Sequence, residues 1–189
     1  MYTRILVATL AVAIVPQFAA AQDSPAVSVQ VNATPVANPV SSAFRANAEY
    51  VGKNLMAAAD DMPADRYGFK PTAAQMSFAD IMSHLAQGND FLCGKIGGIA
   101  APTRTKLAPK ADKAALVGRL KETFAFCDQA LANLDDSKLG EQMQLFGPKP
   151  RSRAETMFIT TGDWADHYSQ VAIYLRLNGV LPPTAKKSM

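Results

Sequence analysis

The chain is poor in the residues that most often disclose chemistry. Of 189 residues, two are histidine, two cysteine and one tryptophan. No Cys-x-x-Cys pair occurs, which excludes a thioredoxin-type dithiol, and the absence of Cys-x-x-Cys-His excludes covalent haem. No Glu-x-x-His occurs either, which excludes a ferritin-like di-iron bundle. An excess of one charge is also missing. Lys and Arg total 19 against 16 Asp and Glu, and the basic residues are scattered, so no nucleic-acid partner is indicated. What is present is a composition 49% hydrophobic and 19% charged, in a length suited to one domain with its own core.

The N-terminus reads as an export signal. Arg4 gives a short positive region, residues 5–15 are an apolar run, and Ala19, Ala20 and Ala21 offer the small residues of a cleavage site before Gln22. The run is shorter than the roughly 20 residues that span a bilayer, and Pro16 breaks it. The organisation expected is a signal peptide over 1–21, a flexible linker rich in Ala, Val, Ser and Pro over 22–40, and one domain over 41–189. The mature protein is then expected to be secreted or periplasmic, with no membrane association after cleavage.

Four segments carry helical periodicity. Over 42–62, Phe44, Ala48, Val51, Leu55, Ala58 and Met62 fall on one face, and Pro63 ends the pattern. Over 78–96 the stripe is Phe78, Ile81, Leu85 and Leu92, with Ser77 and Asp80 spaced as a capping box. Over 112–134 it is Leu116, Leu120, Phe124, Cys127, Leu131 and Leu134. Over 153–178 it is Met157, Thr161, Trp164, Tyr168, Val171 and Leu175, with Ser152 and Glu155 as a second capping box. Gly179 suits a left-handed terminus there, and Pro182 with Pro183 forbids resumption. Around Met143 and Leu145 a short extended piece is expected. Four amphipathic helices without a convincing sheet predict an all-α four-helix bundle. Its connections at 63–76, 97–111 and 135–152 are longer than an ideal up-down bundle needs, and are expected to fold over the bundle ends.

Two cysteines in an exported chain favour a Cys93–Cys127 disulfide tying the second helix to the third; two reduced core thiols are the alternative. The two histidines, His84 and His167, both fall mid-helix. Asp163 precedes His167 by one turn, so the two side chains share a face and can chelate one ion. If the second and fourth helices face each other, His84 completes a set of two imidazoles and one carboxylate. Three ligands leave open positions, as catalytic sites do. A lone helical histidine is otherwise an ordinary hydrogen-bonded core or boundary residue. Tyr168 and Gln170 are expected to pack or hydrogen-bond behind the ligands, Trp164 to fill core, Arg176 to form a salt bridge at the bundle end, and Met56, Met62, Met76 and Met82 to fill gaps in the core.

The stretch from Phe69, Lys70 and Pro71 through Ser77 and Phe78 to His84 and Leu85, and the stretch from Asp163, Trp164, Ala165 and Asp166 through His167, Tyr168, Ser169 and Gln170, then Tyr174, Leu175 and Arg176, to Gly179, Pro182 and Pro183, resemble the DinB/YfiT-like family. The likeness covers about residues 42–183. It implies a four-helix bundle with a histidine on the second helix and a His-x-x-x-His pair on the fourth, the three imidazoles holding a divalent metal, usually zinc or nickel. His84 and His167 match two of those ligands. Asp163 stands where the third histidine is expected; carboxylate oxygen binds zinc, manganese and iron well, so the exchange either retunes the site or marks its loss.

The resemblance implies a metal-dependent hydrolase or thiol transferase acting on an unidentified small molecule, and is compatible with a homodimer. Export disfavours the thiol version, because low-molecular-weight thiols are mainly cytosolic. The alternative is a non-catalytic exported bundle that binds a ligand or partner and carries a degenerate metal site.

Overall fold

The computed structural model describes residues 34–186 except 109. The expected signal over 1–21 and the first part of the linker, 22–33, lie outside the described residues. Four helices make up the fold: α1 (Pro39–Asp61), α2 (Phe78–Gly97), α3 (Lys113–Leu131) and α4 (Arg153–Leu177). A two-residue antiparallel pair, Gln142–Met143 with Arg151–Ser152, precedes α4. It contains Met143 but not Leu145.

Each helix starts where a side chain can take up free backbone N–H groups. Both capping boxes form: Ser77 accepts from the Asp80 N–H, and Ser152 from the Glu155 N–H, each answered by the acid. Asp112 accepts from the Ala115 N–H at 2.9 Å and starts α3. Helix α1 begins three residues before its expected start, for a non-local reason. Its cap is Asp136, 95 residues along the chain, whose carboxylate accepts from the Ser41 N–H at 2.8 Å and the Val40 N–H at 3.1 Å. Helix α3 ends at Leu131 and the chain runs on in a turn, with Leu134 still buried. Gly179 adopts φ 73°, the left-handed end expected.

Helices α2 and α1 each pack between α3 and α4. The pairs Asn89–Thr123 and Cys93–Cys127 advance together along α2 and α3, so those two helices run parallel. Tyr174 reaches Met76 whereas Trp164 reaches Asn89, so α4 runs antiparallel to α2. The parallel pair accounts for the long connection at 98–112: the chain must travel back along the bundle before α3 can begin. Helices α2 and α3 approach closely at Gly97, where an added Cβ would stand 2.2 Å from the Ala130 carbonyl oxygen. The expected disulfide joins Cys93 and Cys127, with Cα atoms 5.1 Å apart.

The predicted stripes of α1, α2 and α3 supply the core. Leu55, Ile81, Leu85, Leu120 and Leu175 are fully buried, each worth about 1.5–3 kcal/mol of transfer free energy. Met62 and Met82 are fully buried, while Met56 and Met76 pack against the core from its edge. In α4 the buried face differs from the expected one: Thr160 and His167 are inside, and Thr161 and Tyr168 only half-buried. Thr160 can be buried because its hydroxyl donates to the Thr156 carbonyl at 2.8 Å. Arg176 forms no ion pair among the described residues; it donates instead to the Ala172 carbonyl, one turn back. Among the described residues no helix is long and apolar enough to cross a membrane.

Candidate metal centre

Antiparallel packing of α2 against α4 brings His84 to the Asp163–His167 face. Nε2 of His84 and Nε2 of His167 each lie 3.4 Å from the same oxygen, Oδ1 of Asp163. The two imidazole rings stand 4.6 Å apart at 65°. One donor atom from each of the three residues lies within 4.8 Å of the others, the only such cluster of His, Cys, Asp and Glu among the described residues. Burial is graded across the site. His167 is buried, Asp163 is half-buried and His84 is exposed, so the site opens on the His84 side.

The registry of the two helices is set beside the triad by a buried polar link. Asn89 is 1% exposed; its Oδ1 accepts from Trp164 Nε1 at 2.8 Å, and its Nδ2 donates to Thr123 Oγ1 at 3.2 Å. Trp164 directly follows Asp163, so this bond fixes the height of α4 against α2 at the level of the ligands. Trp164 is core, as expected, stacked on Phe44. Asn89 was not legible as a positioning residue, because its partners are distant in sequence. Gly88, one turn beyond His84, was missed too. A Cβ there would lie 3.7 Å from Asp163 Oδ2, so the missing side chain leaves the second carboxylate oxygen uncovered. Two turns beyond His84, Phe91 packs its ring on Phe146, with centroids 5.1 Å apart, at the far end of the same helix face.

Tyr168 does not serve the triad. Its hydroxyl donates to Thr184 Oγ1 at 2.9 Å and accepts from the Thr184 N–H at 3.1 Å, tying the C-terminal segment to α4. Gln170 lies one turn past His167 and donates to Asp166 Oδ2 at 2.7 Å.

Burial pushes the Asp163 carboxyl up, but contact with His167 and then His84 outweighs it and holds the group below its ordinary value of 3.8. His167 is raised above its ordinary 6.5, first by the contact with Asp163, against the opposing effect of burial; the charges of Asp163 and Asp166 and the nearby Gln170 side chain add to the rise. The carboxylate therefore stays ionised and ready to ligate, and a cation arriving at the site competes with the proton on His167.

The donor set fits a divalent ion. Metal–ligand bonds of about 2.0–2.2 Å in a tetrahedron separate neighbouring donor atoms by about 3.3–3.6 Å. Both nitrogen–oxygen separations, 3.4 Å, fall in that range, and both are longer than a good N–H···O hydrogen bond of about 2.7–3.2 Å. The spacing suits an ion between the donors better than direct bonding among them. Nδ1 of His167 is buried and has no hydrogen-bond partner. It is the atom that carries the ring proton when Nε2 is a ligand.

The family model of the DinB superfamily matches residues 48–171. The chain belongs to the DinB superfamily. That superfamily is in general associated with metal binding, and the matched span contains all three residues of the triad. Two solved structures share the fold. A DinB-like protein of Bacillus subtilis, YjoA, superposes with a TM-score of 0.55 at 19% identity, over 80% of this chain and 100% of that one. A conserved protein of Enterococcus faecalis superposes with a TM-score of 0.58 at 14% identity, over 73% of this chain and 96% of that one. No curated protein matches the chain.

Proposed function

We propose that this DinB-superfamily protein is an exported, divalent-metal-dependent hydrolase or transferase of a small molecule, with the ion held by His84, Asp163 and His167. One observation carries the reading: two helices from distant parts of the sequence deliver three donors to one place, with 3.4 Å from each imidazole to one carboxylate oxygen. Zinc or nickel suits the imidazole pair, and the carboxylate widens the choice to manganese or iron. The chemistry a divalent ion supplies there is Lewis acidity, which acidifies a water or a thiol beside it.

The chain's own residues do the rest. His167, packed in the core, fixes the floor of the site. His84 closes its outer side while leaving access from solvent. Asp163 Oδ2 makes no hydrogen bond among the described residues and faces the gap at Gly88, where it can accept a proton from an incoming nucleophile. Export is supported by the signal-like N-terminus and by the Cys93–Cys127 bridge, which persists in oxidising compartments.

Metal content by plasma mass spectrometry, on protein purified without an affinity tag, tests the reading. About one ion per chain is expected, lost in Asp163→Ala. Less than about a tenth of an ion per chain after incubation with zinc, nickel and manganese would overturn it. That result would leave a helical binding module with a degenerate site.

A further inference from the structure

A sizeable cavity among the described residues does not touch the triad. It measures about 530 Å³, within the range of small-molecule sites, and lies on another flank of α2, under the connection that crosses back to α3. The connection is held over this space by built contacts. The Arg104 guanidinium forks onto Asp90, with Nε and one terminal nitrogen 2.6 and 2.9 Å from the two oxygens. It reaches α3 as well, donating to Glu122 Oε2 at 3.1 Å. Arg119 donates from α3 to the Thr105 carbonyl at 2.8 Å. These bonds span α2, the connection and α3, and so prevent the connection from collapsing onto the helices.

The lining has two chemistries. One wall is apolar and small: Ala79, Ala86 and Ala111, with Leu107 and Leu116. The charged lining is unbalanced once existing partners are counted. Of the two carboxylates, Asp90 is paired with Arg104, while Asp80 is held at the start of α2 by the Ser77 N–H and keeps its charge. Two of the cations, Lys106 and Lys110, have no carboxylate partner among the described residues. A hollow with one apolar wall, lined also by two lysines that lack a carboxylate partner, matches a molecule with an apolar body and one anionic end.

We propose that this cavity is a second binding site, separate from the metal centre, for a small amphipathic carboxylate. The apolar body lies against the alanine wall and the carboxylate meets Lys106 and Lys110. The site does not depend on the function proposed for the triad, since none of His84, Asp163 and His167 lines it.

Calorimetric titration with octanoate, on protein freed of metal by chelation, tests this directly. Chelation removes any binding of carboxylate to an ion at the triad. Saturable binding is expected, weakened about three- to fivefold in Lys106→Gln or Lys110→Gln and about tenfold or more in the pair. 1-Octanol, which lacks the charge, should bind at least about tenfold more weakly than octanoate. Gln87→Trp, an exposed position on the rim, should obstruct the cavity and abolish binding, and His84→Ala should leave it intact. No saturable binding, unchanged affinity in the double lysine variant, or loss of binding in His84→Ala would each overturn the proposal. The lysines are exposed, so their replacement leaves the fold in place, which circular dichroism verifies.

Discussion

Asn89→Ala should damage stability and the metal centre together. Asn89 is 1% exposed and bridges Trp164 on α4 and Thr123 on α3. Truncation leaves the Trp164 indole N–H, also buried, without an acceptor, at a cost of about 1–3 kcal/mol. Loss of the longer bond to Thr123 adds about 0.5–1 kcal/mol, because the threonine hydroxyl keeps its donation to Leu120. The expected total is about 1.5–4 kcal/mol. In urea denaturation, with a slope of about 2 kcal/mol per molar, that moves the midpoint down by about 0.8–2 M. Trp164→Phe removes the same bond from the other side. A double-mutant cycle of the two changes should therefore return a coupling of about 1 kcal/mol or more. Metal affinity measured on the folded Asn89→Ala protein should fall as well, since the link sets the height of Asp163 and His167 against His84. A midpoint within about 0.3 M of the parent, or a coupling near zero, would refute the assignment of Asn89 as the residue that registers α4 on α2.

The Cys93–Cys127 bridge closes a loop of sequence separation 34, for which the chain-entropy argument gives about 3.8 kcal/mol. Reduction should lower the urea midpoint accordingly and raise the intact mass by about 2 Da; an unchanged mass would mean that the thiols are free. The Asp163–His167 contact should give the metal-free protein a bounded pH optimum. Its acid limb follows Asp163, whose folded value is lowered: the stabilisation is present above 3.8 and lost as pH falls through the lowered value. Its alkaline limb follows His167, whose folded value is raised: the stabilisation is complete below 6.5 and lost as pH rises through the raised value. Thermal melts of His167→Gln across this range should lose the alkaline limb, and an unaltered profile would count against the contact.

Much of this protein was written locally. Helical periodicity fixes the buried faces of α1, α2 and α3, because a 3.6-residue repeat stacks side chains whatever surrounds them. The pairs Ser77 with Asp80 and Ser152 with Glu155 close their capping boxes within three residues, and Asp163 with His167 needs only one helical turn. The tertiary structure alone decided the rest, since each remaining feature joins residues far apart in the chain. His84 reaches the pair only because α4 runs antiparallel to α2. Asn89 finds Trp164 across 75 positions, and Asp136 caps α1 across 95. Burial of His167 in place of Tyr168 turns on how α4 is rotated about its own axis, which neighbouring helices set. The parallel course of α2 and α3, and the cavity beneath the connection it requires, depend on how the helices pack against one another, and no local pattern records that.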